Sequence, residues 1–151
     1  MPELPEVEHV KRGIEPYAIN TTINKITFSE NVKKGKEDNR ETIIKGMTLD
    51  SFQRLTEGYT ITKIERRSKY IVFYINRDSE QRILISHLGM AGGFFVVDHL
   101  EQIAVPNYRK HWQVIFELDN GKKLIYSDIR RFGEIRNVSS FNAYPSFLSI
   151  A

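Results

Sequence analysis

The sequence contains no cysteine among its 151 residues. This absence excludes disulfides, thiolate catalysis and cysteine-ligated zinc within the chain. The four histidines, His9, His87, His99 and His111, are scattered without the spacing of metal ligands. We therefore expect this chain to hold no metal and no cofactor.

Long apolar runs are also missing. No stretch approaches the roughly 20 residues of a membrane helix, and the acidic N-terminus lacks the apolar region of a secretory signal. A hydrophobic fraction of 40% and a charged fraction of 27% are typical of one globular core. We expect no membrane partner and a cytoplasmic location. A net charge of +3 is compatible with a polyanionic partner but does not identify one.

Helical spacing occurs twice. Leu4, Val7 and Val10 predict a helix from Glu3 to Arg12, with Gly13 as its stop. A second short helix is predicted over residues 49–55. Residues 22–28 alternate as a strand, whereas the charged residues 31–40 favour a loop.

Strand patterns dominate the rest of the chain. They cover residues 59–66, 70–75, 82–87, 93–97, 112–118 and 123–126. Asp119-Asn120-Gly121 predicts a hairpin between the last two strands, because Asn-Gly supplies the positive φ angles of a two-residue turn. The predicted fold is α+β and mostly β: an antiparallel β-sandwich or flattened barrel with an N-terminal helix and a second short flanking helix.

The N-terminus reads Pro2-Glu3-Leu4-Pro5-Glu6-Val7-Glu8. If Met1 is removed, Pro2 becomes a secondary amine with a pKa near about 7.8, against about 10.4 for lysine. Such an amine can attack an electrophilic sugar carbon and form an iminium, while Glu3 transfers protons. The alternative is that the prolines only start an acid-rich helix.

Three further clusters lie where strands end. Residues 66–70 form a basic cluster that suits a solvated turn or a site. Residues 87–93 form a glycine-rich loop that either presents Met90 or packs it in the core. In residues 128–133, Arg130 and Phe132 suit insertion into a base stack, although a surface turn with one core aromatic is the alternative.

Taken in order, the opening heptapeptide, Arg-Arg-x-Lys-Tyr, His-Leu-Gly-Met, Lys110-His111 and Arg-Arg-Phe-Gly resemble the N-terminal half of bacterial formamidopyrimidine-DNA glycosylase. The resemblance spans essentially all of residues 1–151. It implies base-excision repair of damaged double-stranded DNA. The implied activity removes oxidised purines, such as 8-oxoguanine and formamidopyrimidines, and then cleaves the strand as an abasic-site lyase through a Schiff base.

The resemblance also implies residue roles. Pro2 is the nucleophile at C1′, Glu3 the acid/base partner, Glu6 an organiser of the pocket and Lys69 an aid to proton transfer during strand cleavage. The implied DNA contacts are Met90, Arg130 and Phe132, which fill the gap left by the flipped lesion, together with His87, Lys110 and His111. Filling that gap offsets part of the unstacking cost, which is a few kcal/mol.

Several positions depart from the family pattern. Ser68 stands where glycine is usual, Ala91 where serine is common, Ile129 where proline is common, and Trp112-Gln113 where an Asp-His pair usually follows. No departure removes a catalytic group. The loops around Lys69 and Arg130 are therefore where this chain is expected to differ in shape.

The resemblance implies residues 1–138 as the catalytic domain. It implies residues 139–151 as the start of a linker to a C-terminal half with a helix-two-turn-helix and a zinc finger, where the zinc is expected. Because half a binding cleft should bind DNA weakly, the isolated chain is expected to have little or no activity. It is also expected to be a monomer.

Two alternatives remain open. An endonuclease VIII-like enzyme would act on oxidised pyrimidines, but that subfamily usually has glycine where this chain has Leu4. A non-catalytic DNA-binding paralogue would not need Pro2, Glu3 and Lys69 together.

Overall fold

A computed structural model describes residues 4–40 and 43–148, without the side chains of residues 146 and 148. Pro2 and Glu3 lie outside the described residues. Two β-sheets pack face to face, with short helices at their margins, and the sheets do not close into a barrel. The predicted α+β, mostly β sandwich is confirmed. Within the described ranges, no helix is long and apolar enough to cross a membrane.

The helices and strands alternate irregularly along the chain. The helices are α1 Leu4–Ala18, α2 Glu30–Glu37, α3 Leu49–Arg54, α4 Pro106–Lys110 and α5 Pro145–Leu148. The strands are β1 Ile23–Phe28, β2 Ile43–Ile44, β3 Thr60–Arg67, β4 Tyr70–Arg77, β5 Glu80–His87, β6 Gly92–Val97, β7 Trp112–Leu118, β8 Lys123–Asp128 and β9 Glu134–Val138. One sheet has the order β1-β7-β8-β6 and the other the order β2-β9-β5-β4-β3.

The two sheets are joined at one corner, where β1 and β3 begin. The hydroxyls of Thr22 and Thr60 lie 2.8 Å apart. The amide of Ile23 donates to the carbonyl of Tyr59 at 2.9 Å, and the amide of Gly58 donates to the carbonyl of Ile23 at 2.7 Å. These bonds satisfy backbone groups that the corner would otherwise bury unpaired.

Helix α1 covers one side of the core between the sheets. Val7, Ile14 and Ala18 are fully buried. The helix continues five residues past Gly13, so the predicted stop there is wrong. Burial of Ile14 and Ala18 on the same face as Val7 offsets the roughly 1 kcal/mol that glycine costs inside a helix.

The predicted loop over residues 31–40 is wrong, because most of it forms helix α2. Ser29 caps this helix: its hydroxyl accepts a hydrogen bond from the amide of Val32 at 3.2 Å. Val32 is fully buried and anchors the helix to the core. A cap residue and one apolar anchor were enough to form a helix within a highly charged segment.

Strand β9 was not predicted either, because its buried positions do not all carry apolar side chains. Asn137 is buried and donates to the carbonyl of Leu55 at 2.9 Å and to the hydroxyl of Thr56 at 2.8 Å. These bonds compensate for the loss of water around the amide. The short elements β2 and α4 were also missed.

The outer face of the five-stranded sheet is covered by residues 141–148, which belong to the segment predicted to begin a linker. Phe147 packs there against Val72 and Ile85. The guanidinium of Arg67 lies 4.8 Å from the ring centre of Phe141 and 5.2 Å from that of Phe147. The central strands are therefore buried on both faces, which explains their nearly continuous apolar sequence.

The predicted hairpin joins β7 and β8, but its turn differs from the predicted one. The amide of Gly121 donates to the carbonyl of Leu118 at 3.0 Å, and the amide of Leu118 donates to the carbonyl of Lys122 at 2.9 Å. Gly121 has φ +84°, whereas Asn120 does not have a positive φ. The connection is therefore a three-residue loop with a glycine bulge.

Gly121 and Gly13 both have open space where a Cβ atom would lie, but alanine at the two positions should change the free energy of unfolding in opposite directions. Alanine at Gly121 would occupy a left-handed conformation and should lower the free energy of unfolding by about 1 kcal/mol. Alanine at Gly13 in α1 should raise it by about 0.5–1 kcal/mol. Urea unfolding of Gly121→Ala and Gly13→Ala measures both changes, and shifts of the same sign would contradict the assigned backbone conformations.

Candidate functional site

A buried carboxylate organises residues 128–133, which we call the Asp128 loop. Asp128 is 0% exposed at the end of β8. One carboxylate oxygen accepts hydrogen bonds from the amides of Arg130 at 3.1 Å and Arg131 at 2.9 Å. The other accepts from the amide of Gly133 at 2.9 Å and the hydroxyl of Tyr126 at 2.8 Å. Hydrogen bonds to a charged group contribute about 1.5–3 kcal/mol each, so this carboxylate sets the loop conformation.

Tyr126 is a permanent donor to this carboxylate. Burial, followed by the negative charge of Asp128, raises the pKa of Tyr126 well above its usual value. The phenol therefore keeps its proton and its hydrogen bond throughout the physiological pH range.

Residues 87–92, the Met90 loop, pack directly on the Asp128 loop. A Cβ atom on Gly89 would lie 2.5 Å from the amide nitrogen of Gly133. A Cβ atom on Gly133 would overlap the Tyr126 hydroxyl and lie 2.7 Å from the carbonyl of His87. The two loops thus approach each other more closely than side chains at these positions would permit.

The tips of both loops are at the surface. Met90 is 50% exposed and Phe132 is 62% exposed, so neither is a core residue. Arg130 is also exposed, and its guanidinium lies 5.2 Å from the centre of the Phe132 ring. The structure therefore exposes the three predicted gap-filling side chains on two loops that pack against each other, with Arg130 and Phe132 in mutual contact.

His87 and His111 lie at the base of these loops. The ring nitrogen Nδ1 of His87 accepts a hydrogen bond from the amide of Gly89 at 2.9 Å. Burial lowers the pKa of His87, although Glu134 opposes this effect. The carbonyl of His111 accepts from the amide of Asp128 at 3.0 Å. The preceding residue, Lys110, is exposed at the end of α4.

Lys69 occupies the two-residue turn between β3 and β4 and is half-buried. Ser68 has φ +53°, a conformation that suits the glycine usual in the family. Arg66 ties this turn to α1: it donates to the carbonyl of Ser68 at 3.0 Å and to a carboxylate oxygen of Glu8 at 2.9 Å. The Arg66 hydrogen bond lowers the pKa of Glu8. The Lys69 turn is therefore held against the helix that Pro2 and Glu3 precede.

The predicted residues divide between two clefts. Glu6 and Met90 line a cleft of about 410 Å³, together with His9, Val10, Phe95 and Tyr108. Arg130 and Phe132 line a separate cleft of about 400 Å³, next to α2. A cleft of about 980 Å³ lies between α2 and the start of α3 and is lined by none of the predicted site residues.

Two buried polar residues important for the site were not predicted. Asp128 could have been found, because an aspartate at the start of Asp-x-Arg-Arg-x-Gly is typical of a turn closed by its own side chain. Gln113 is 1% exposed and accepts from the hydroxyl of Ser29 at 2.9 Å. Its amide donates to the carbonyls of Asp128 at 3.1 Å and His111 at 3.2 Å. Nothing in the sequence indicated this role.

Comparisons with known sequences and solved structures all identify similarity to the same family. Residues 1–135 match the family model for the formamidopyrimidine-DNA glycosylase N-terminal domain. The chain is 41% identical over 133 residues to formamidopyrimidine-DNA glycosylase of Streptococcus thermophilus, an alignment that covers 88% of this chain and 41% of the relative. The chain thus spans less than half the length of this relative.

Solved structures of Lactococcus lactis Fpg are similar to the fold. The complex with DNA containing an abasic site has a TM-score of 0.73 and 29% identity, covering 98% of this chain and 48% of that one. The complex of the same protein with DNA containing Fapy-dG has a TM-score of 0.72 and 29% identity, covering 97% of this chain and 48% of that one. The complex with DNA containing an oxidised pyrimidine has a TM-score of 0.73 and 30% identity, covering 98% of this chain and 48% of that one.

The Asp128 carboxylate should be essential for loop stability. Asp128→Asn replaces one acceptor oxygen with a donor that faces backbone amides, and we expect it to lower the free energy of unfolding by about 2 kcal/mol or more. The exposed Asp119→Asn variant is the matched control and should change it by less than about 1 kcal/mol, since Asp119 accepts a single amide bond at 3.1 Å. Equal denaturation midpoints for Asp128→Asn and the parent protein would contradict this role.

Proposed function

Because the chain belongs to the formamidopyrimidine-DNA glycosylase family, we propose that it excises oxidised purines from duplex DNA and cleaves the resulting abasic strand. The observation that carries this proposal is the exposure of Met90, Arg130 and Phe132 on two loops that pack closely at Gly89 and Gly133, one of them organised by Asp128. An exposed ring beside a guanidinium is suited to a space between base pairs.

The proposed reaction requires the lesion to leave the helix, since C1′ is inaccessible in a stacked duplex. Met90 and Phe132 would occupy the resulting gap, and Arg130 would contact the unpaired base or its phosphate. The backbone bonds to Asp128 preorganise this insertion. Little loop entropy is then lost when DNA binds.

The proposed chemistry begins at the Pro2 amine, which attacks C1′ as the bond from C1′ to the damaged base breaks. Glu3 would supply the proton exchanges that base release and opening of the sugar require. The iminium between Pro2 and C1′ would then permit elimination of the 3′ phosphate, with Lys69 assisting proton transfer, and water would release the enzyme. This chain has no cysteine with which to hold a zinc ion, and no step is assigned to a metal.

The proposed lesion class is an oxidised purine, for which Leu4 is the supporting residue. An oxidised pyrimidine is the alternative, and the Lactococcus lactis protein has been crystallised with both kinds of damaged DNA. Parallel excision assays on 8-oxoguanine and dihydrouracil duplexes separate the two. We further propose that this chain acts weakly, because it spans under half of its relatives.

The covalent step has a direct test. Under single-turnover conditions with excess chain lacking Met1, borohydride should trap an adduct with abasic duplex DNA, and mass spectrometry should map it to Pro2. Glu3→Gln should slow excision of the base about a hundredfold or more, because it removes the titrating group while preserving size. The partly exposed Glu15→Gln variant on α1 is the control and should match the parent protein. An adduct on a lysine peptide, or none at saturation, would overturn the proposal.

The gap-filling role predicts a difference between duplex and single-stranded substrates. Met90→Ala and Phe132→Ala should change the free energy of unfolding by no more than about 0.5 kcal/mol, as at other surface positions. Each should slow excision from duplex lesion DNA at least tenfold and leave single-stranded DNA largely unaffected. Phe94→Ala, in the core, should instead lose about 3–5 kcal/mol of stability. Equal activity losses on both substrates would contradict gap filling.

A further inference from the structure

The cleft of about 400 Å³ next to α2 is rich in cations and includes two of the predicted gap-filling side chains. We call it the basic cleft: Asn31, Gly35, Arg40, Lys45, Arg130, Arg131 and Phe132 line it. Four of these residues are cations, and none of the lining residues in the described part of the chain is acidic. A cleft lined by cations has a positive potential that attracts negatively charged ligands.

Helix α2 is rigidly connected to the Asp128 loop, so the two walls of the basic cleft keep a fixed relation. Ser29, the cap of α2, donates its hydroxyl to Gln113, and the Gln113 amide donates to the carbonyl of Asp128. The backbone amide of Ser29 also donates to the carbonyl of Gln113 at 2.9 Å. This buried network couples the element preceding Arg40 to the loop carrying Phe132.

The conformation of Arg131 supports a ligand in the cleft. Its φ of +55° is unfavourable for a residue with a side chain, and the Asp128 carboxylate holds it there through the amide bond at 2.9 Å. Strain of this kind is concentrated at functional sites, where it is offset by surrounding bonds. In this strained conformation Arg131 lines the same cleft as Arg130.

Arg40 is available for exchange of partners. It forms an ion pair with Asp38 at 2.9 Å, but the side chains of the two residues are 67% and 46% exposed. An exposed pair of this kind contributes at most about 1 kcal/mol. A phosphate can replace Asp38 and offers the guanidinium a bidentate acceptor.

We propose that the basic cleft binds backbone phosphates of duplex DNA next to the position where Phe132 enters the stack. This inference rests on the proposed function, because it locates the phosphates relative to Phe132 as a side chain that enters the base stack. Phosphates on one strand recur every ~3.4 Å along the helix axis, so any duplex lying against the exposed Phe132 ring has phosphates next to the cations beside it, before the ring enters the stack. Arg40 and Lys45, which follow α2 and β2 respectively, thereby extend the DNA contact away from the Asp128 loop, independently of the damaged base.

The test is the salt dependence of binding to undamaged duplex DNA by fluorescence anisotropy. Arg40→Gln and Lys45→Gln should each reduce the slope of log affinity against log salt concentration by about 0.9 and weaken binding at every salt concentration. The loss should be equal on undamaged and abasic duplexes, because phosphate contacts carry no base information. Lys25→Gln, an exposed cation on the edge strand β1, removes the same charge and should leave the slope unchanged.

Unchanged slopes in both cleft variants, or an equal change in Lys25→Gln, would overturn the inference. Thermal melts matching those of the parent protein establish that each variant is folded. The adduct at Pro2, measured with saturating protein, should form in the parent chain and in the control Lys25→Gln. Failure of the proposed function would instead appear as a missing adduct in the parent chain, whatever the salt slopes are.

Discussion

The candidate site depends on one buried negative charge. The Asp128 carboxylate forms no ion pair with any residue in the part of the chain that the structure describes, and it is stabilised by three backbone amides and the phenol of Tyr126. Because a buried carboxylate without such donors would be prohibitively costly, the backbone from residue 129 to 133 has little freedom to adopt another path. The same conformation leaves Arg130 and Phe132 at the surface and makes room for Gly89 from the neighbouring loop.

A second network connects the helix at the N-terminus to the turn that carries Lys69. Glu8 and Arg66 join α1 to β3, and Arg66 also holds the carbonyl of Ser68. The first half of α1, which Pro2 and Glu3 precede in the sequence, and the turn of Lys69 are therefore attached to a common pair of side chains.

Periodicity predicted the long elements well, because their cores are made of apolar side chains. Strands β3 to β8 and helix α1 all follow this rule, and the hairpin after β7 was correctly located. Asn137 broke the pattern in β9, because hydrogen bonds replaced apolar burial there. In the site, the exposed residues were recognisable from family motifs. The bonds of Gln113 join residues far apart in sequence, so no local pattern could reveal them.

The aromatic side chains on the outer face of the five-stranded sheet pack against residues next to the Lys69 turn. Phe147 contacts the guanidinium of Arg67 and, edge to face at 5.0 Å, the ring of Tyr70. These two residues immediately flank the turn formed by Ser68 and Lys69. Packing on the outer face of the sheet thus supports both residues that flank the Lys69 turn, and a substitution at Phe147 would loosen that turn from the side opposite to the core.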